Sequence, residues 1–312
     1  MKRIIATLAA VALAAGMSFA QDLATVTELY NNAATTLNSG EKDNALTAFN
    51  DALAKAEALG EEGQEIADNC KGVIPSLALS IAKDLVKANN FDSAITKLNE
   101  AKEIATKFDA ADVISEIAGL LPQVLMSKGN NLLTAAKDYA GAAAIYKQLL
   151  DEDATNGVAA LRLGQALNAA GDIEGAVAAF EQASANGQEK NAVKQLTNIS
   201  LKKAAAALKE KKYADAVTAA LKTTEYDEAN AQAWQIAAQA SQLASKNNDA
   251  IKYFEKYLEV APDAKNAGQI AYTVGALYQQ AKNNAKAKDY YQKASTDPKF
   301  GAEAKKLLDA LK

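Results

Sequence analysis

Residues 231–262, AQAWQIAAQASQLASKNNDAIKYFEKYLEVAP, hold the pattern from which the rest of the chain is read. Trp234 is followed by small Ala237 and Ala238, then by Ala250, Phe254 and Pro262, and Lys246-Asn247-Asn248 divides the stretch in two. Polar and Asn residues at such a point are helix-stop and turn chemistry, so the segment reads as two helices folded back on each other. Its spacing recurs. Ala45, Ala94, Ala142, Ala176, Ala216, Ala250 and Ala287 are each followed, four residues on, by Phe49, Leu98, Tyr146, Phe180, Ala220, Phe254 and Tyr291. Twelve residues before each alanine stand Ala33, Ala82, Asn130, Gly164, Ala204, Ala238 and Gly275, all small except Asn130. The intervals between anchor alanines are 49, 48, 34, 40, 34 and 37 residues.

With Trp at position 4, small residues near 8, Ala at 20, an aromatic at 24 and Pro at 32, residues 231–262 closely resemble a tetratricopeptide repeat. The resemblance runs loosely from about residue 22 and tightly over 157–300. It implies an all-α fold, a right-handed α-solenoid of about seven helix hairpins with the first units longer and divergent. No alternating apolar and polar run bounded by turn residues argues for a sheet. The turns follow the same register: Asn38-Ser39-Gly40, Asn89-Asn90-Phe91, Lys137-Asp138-Tyr139, Ala170-Gly171-Asp172, Lys211-Lys212-Tyr213 and Lys282-Asn283-Asn284. The extra residues of the first units, Glu61 to Ile74 and Asp109 to Leu121, are helical in pattern and precede Pro75 and Pro122. Each is read as an extension ending in a kink or break at the proline, which lacks an amide donor and clashes with the preceding turn.

The first 20 residues carry Lys2-Arg3, an apolar run from Ile4 to Met17, and Ser18-Phe19-Ala20 before a cleavage site. These are the three regions of a secretory signal, and cleavage after Ala20 is expected. Gln21 is not the cysteine that a lipoprotein signal requires. A periplasmic or secreted bacterial protein follows, with no integral membrane segment once the signal is removed. The chain is thus divided into a signal over 1–20, divergent repeats with inserted helices over 21–122, regular repeats over 123–300 and a capping helix over 301–312.

Composition narrows the chemistry. The 312 residues contain no His and a single Cys, Cys70. That excludes His-based nucleophile triads, imidazole bases and His-bearing zinc sites. No GxGxxG, GxxxxGK or CxxC run occurs, so no cofactor is expected and no catalytic or metal residue is assigned. Asp151 to Gly157 approaches a calcium loop, but its glycine is displaced by one and the twelfth position is Arg162; it is read as a turn between repeats. Cys70 and Trp234 are read as core. Without Lys2 and Arg3, 32 basic residues face 38 acidic ones and Arg162 is the sole arginine, which argues against nucleic acid as a partner.

In tetratricopeptide proteins the first helix of each hairpin lines a concave surface, chiefly through positions 2, 5, 9 and 12. On residues 231–262 the resemblance places Gln232, Gln235, Gln239 and Gln242 there, and steps of 3, 4 and 3 set them on one helical face. The seventh unit adds Gln269, Tyr272 and Gln279, the fourth Gln165 and Asn168, the third Ser127 and Asn131. Amides donate and accept, so this groove suits a peptide backbone. The family's clamp for a C-terminal carboxylate does not map: position 5 is Ser127, Leu161, Leu201, Gln235 and Tyr272 in the last five units. The expected function is an exported scaffold that binds a protein or peptide and is not an enzyme. The alternatives are a glycan-binding module and, more remotely, a carboxylate-based enzyme; the oligomeric state is left open.

Overall fold

The computed structural model describes residues 17–311. The signal read in residues 1–20 lies, except for its last four residues, outside them. The described residues are helical throughout, with no strand among them. They fall into two compact units that divide between Ala154 and Thr155.

The first unit holds three hairpins: α1 (Met17–Asn38) with α2 (Lys42–Ala58), α3 (Gln64–Lys87) with α4 (Phe91–Lys107), and α5 (Ala111–Asn131) with α6 (Tyr139–Glu152). The second holds four: α7 (Gly157–Ala170) with α8 (Ile173–Ala183), α9 (Glu189–Lys209) with α10 (Tyr213–Tyr226), α11 (Ala231–Leu243) with α12 (Asn247–Val260), and α13 (Ala267–Gln280) with α14 (Asn284–Ala294). A last helix, α15 (Gly301–Ala310), packs on α14. Within each unit every helix packs on the next in the chain, the arrangement of an α-solenoid.

The repeated alanines explain why these segments pair. All seven anchors, Ala45 to Ala287, are fully buried, and so are Phe49, Leu98, Tyr146, Ala220 and Tyr291 four residues on. Alanine leaves no bulk between two helix axes, which lets the helices approach closely. In the first unit one core gathers Tyr30, Phe49, Cys70 and Ile74, with Tyr30 edge-on to Phe49 at 5.5 Å. A second gathers Leu98, Ile117 and Val124. The second unit's core runs from Ala204 to Ala304 and includes Trp234, Phe254 and Tyr291.

The turns are built alike. Gly40, Asn89, Lys137, Gly171, Lys211, Ser245 and Lys282 each close a hairpin at positive φ. In four hairpins the residue after that one caps the second helix: Asn90, Asp138, Asp172 and Asn283 accept from backbone amides at 2.9–3.4 Å.

Two expectations change. Neither Pro75 nor Pro122 breaks its helix; α3 and α5 run through them. Around Pro75, Ile74, Leu77 and Leu79 are buried, so packing holds the helix past the missing amide. The register of the third hairpin is also off by one. Gly129, not Asn130, is the small residue facing Tyr146: a Cβ on Gly129 would lie 2.7 Å from the ring, as Gly164 would from Phe180 at 2.6 Å and Gly275 from Tyr291 at 2.7 Å. Gly129 and Tyr146 are 17 residues apart, whereas the other two pairs are 16 apart. A π-helical turn at Leu132–Ala136 takes up the additional residue.

The amide face of the first helices

All nine candidate residues lie in the second unit, on the first helices of three hairpins. On α11 the sequence alternates between two faces. Ala233, Trp234, Ile236, Ala237, Ala240 and Ser241 are buried, while Gln232 and Gln242 are exposed and Gln235 and Gln239 half-buried. Asn230 caps this helix through a bond from the Ala233 amide at 3.1 Å, and Trp234 donates its indole N–H to the Glu228 carbonyl at 2.8 Å. Trp234 also stacks on Tyr253 with centroids 6.1 Å apart. With these two residues fixed, the four glutamines project from a rigid helix, and none of their side chains bonds to another described residue.

The remaining candidates are more engaged. Gln269 and Asn168 are exposed. Gln165 Oε1 accepts from Arg162 Nη1 at 3.0 Å, and Gln279 Oε1 accepts from Tyr291 OH at 2.6 Å. Tyr272 sits between two rings, Phe300 at 5.3 Å and Tyr291 at 5.8 Å, and packs on the core. It is a structural ring more than a free platform. The matching positions of α9, between α7 and α11 in the chain, are Asn198, Leu201, Ala205 and Leu208, and both leucines pack partly on the core. The amide character is therefore concentrated on α11 and α13. The one-residue shift of the third hairpin moves its face from Ser127 and Asn131 to Met126 and Asn130, and Asn130 Oδ1 accepts from Tyr146 OH at 2.9 Å.

Pairing between helices was beyond sequence reasoning. Glu255 Oε1 accepts from Tyr278 OH at 2.7 Å and from Tyr290 OH at 2.9 Å, joining α12, α13 and α14. Burial, then the bond to Glu255, pushes Tyr278 up to about 12 and raises Tyr290 further. Burial also raises the Cys70 thiol to about 11, so this side chain is an inert core group. Asp84 and Glu210 are held below the usual carboxylate range by bonds from Lys42 and Lys212, the opposite of what a general acid needs. A groove of about 790 Å³ opens between α8, α9 and α10 over Val177, Ile199 and Ala206, and none of the nine candidates lines it. Among the described residues no three acidic or thiol groups converge as metal donors, and no helix is long and apolar enough to cross a membrane. In the Asp151 to Gly157 stretch, Asn156 caps α7 by accepting from the Ala159 amide at 3.0 Å.

Residues 133–199 match the family model described as Tetratricopeptide repeat. The chain thus carries tetratricopeptide repeats, and its seven hairpins share their helix-turn-helix plan. No curated protein matches the sequence. Solved structures with some likeness include that of MamA, 18% identical over 58% of this chain and 94% of that one, with a TM-score of 0.33. YrrB, described as a TPR protein with an unusual peptide-binding site, is 19% identical over 59% and 91%, with a TM-score of 0.31. The TPR2AB domain of yeast Sti1 in its pHSP90 complex is 15% identical over 77% and 99%, also at 0.31. At these scores none bears on the argument that follows.

Proposed function

We propose that this protein is an exported scaffold of the bacterial cell envelope that binds an extended protein or peptide segment along the amide face of α11 and α13, and that it is not an enzyme. The observation that carries the reading is the row Gln232, Gln235, Gln239 and Gln242, four amides on one face with no bond to the rest of the protein. Amides without internal partners can donate to carbonyls and accept from N–H groups of a strand laid across the helix. Export rests on the basic, apolar and small-residue regions of residues 1–20. The glycan alternative needs exposed aromatic platforms, and Tyr272, its best candidate, is enclosed by Phe300 and Tyr291.

The test replaces Gln232, Gln235, Gln239 and Gln242 by alanine and compares capture of partners from an envelope extract with the parent protein. Capture should be lost while helicity and melting stay unchanged. Undiminished capture sinks the reading. Tyr272 is left in place, since its removal would open the core and confuse a binding loss with unfolding.

A further inference from the structure

The protein's charge is distributed unequally between its two ends. Residues 282–306 hold seven lysines and three acids, in a chain with a net charge of −4. Lys282, Lys286, Lys288, Lys293, Lys299 and Lys305 form no ion pair with another described residue. Lys286, Lys288 and Lys293 border a shallow surface cavity of about 570 Å³ on α14, closed on one side by Leu308 of α15. At the other end, residues 57–68 hold Glu57, Glu61, Glu62, Glu65 and Asp68 and no basic residue. All five are exposed, on the turn between α2 and α3. Only Glu57 is in an ion pair, with Lys71 at 2.9 Å.

We propose that copies of this chain associate head to tail, the lysine patch of the last hairpin and its capping helix in one copy docking on the acidic turn Glu57 to Asp68 of the next. Opposite charges clustered at separate places give a heterologous contact, in which each copy offers a donor end and an acceptor end. Such a contact does not close on two subunits unless the geometry forms a ring, so association extends beyond the dimer as concentration rises. The acidic turn supplies its counter-charge at the same concentration as the lysines, which is what favours a second copy over an unrelated anion. The surface is on elements other than the amide face, so this inference stands or falls separately from the proposed function.

Sedimentation velocity on the full chain tests it. At about 0.01 M salt, where charges act over roughly 30 Å, the sedimentation coefficient should rise with protein concentration, and at about 1 M it should return to the monomer value. The triple variants K286E/K288E/K293E and E61K/E62K/E65K should each be monomeric alone. Mixed in equal amounts they should give a dimer and nothing larger, because each retains the one end the other lacks. This recovery also shows that both variants are folded. A monomeric parent protein at low salt, association retained by either variant alone, or a mixture that stays monomeric overturns the proposal. So does binding of the lysine patch to anionic vesicles without any self-association.

Discussion

Gly129 lies under the ring of Tyr146, so close that a Cβ on the glycine would be 2.7 Å from Tyr146 Cε1. Tyr146 is fully buried and its hydroxyl is tied to Asn130 at 2.9 Å, so the ring cannot give way. Replacing Gly129 by Ala should cost about 1–3 kcal/mol, the range for forcing extra volume into a packed site. Replacing Asn130 by Ala removes one hydrogen bond and should cost only about 1 kcal/mol. Thermal melting of the two variants decides the register: if Asn130 were the residue between the helices, the order of the two effects would reverse.

Five of the seven hairpin turns place a side chain at positive φ where glycine is favoured: Asn89, Lys137, Lys211, Ser245 and Lys282. Lys211 and Lys282 are exposed, so their replacement by Gly changes backbone strain and little packing. Each should stabilise the protein by up to about 1 kcal/mol, the left-handed penalty less glycine's cost in the unfolded chain. Gly171, at φ 89 with nothing within 4 Å, makes the converse case. Gly171→Ala should destabilise by about 1 kcal/mol through the same backbone strain. Equal melting temperatures for these variants and the parent would contradict the argument.

Pro122 sits inside α5 and is only half-buried. Its ring removes a helical hydrogen bond and crowds the preceding turn, a cost of about 3 kcal/mol in a helix interior. Pro122→Ala should therefore raise the melting temperature. Pro75 is buried beside Ile74, so Pro75→Ala gives back part of that gain as lost packing.

The hairpins were legible because their signal is repetitive and local. Each anchor alanine, small partner and turn lies within about one 34-residue unit, and the same spacing appears many times over. The third hairpin escaped because a π turn is one residue in a helix, and Leu132–Ala136 carries no glycine or proline to mark it. Counting back from Ala142 therefore reached Asn130 when Gly129 was adjacent. The prolines misled for a related reason: local propensity argues for a break, and tertiary burial around Ile74 and Ile117 overrides it. At the candidate face, spacing placed the four glutamines of α11 on one side, but it could not show that Gln279 is bonded to Tyr291 or that Tyr272 is held by Phe300. Those contacts join residues 12 and 28 positions apart through side-chain directions that helical periodicity does not encode.

The Glu255, Tyr278 and Tyr290 cluster predicts how the last two hairpins respond to alkali. Both tyrosines donate to one carboxylate oxygen, and their rings stack with centroids 5.7 Å apart. In the unfolded chain a tyrosine loses its proton near pH 10. In the folded protein burial holds Tyr278 protonated to about 12, with Tyr290 raised in the same direction. Between these values the folded state binds more protons than the unfolded one, so stability falls as pH rises. The contribution is fully present below pH 10 and is lost as the pH passes through about 12 for Tyr278. Tyr278→Phe with Tyr290→Phe removes both titrations and should flatten the fall in melting temperature across that window. At neutral pH the double variant should be less stable, since Glu255 loses both donors. A parent and variant that lose stability equally between pH 10 and 12 would show that the cluster is not the alkaline weak point of this unit.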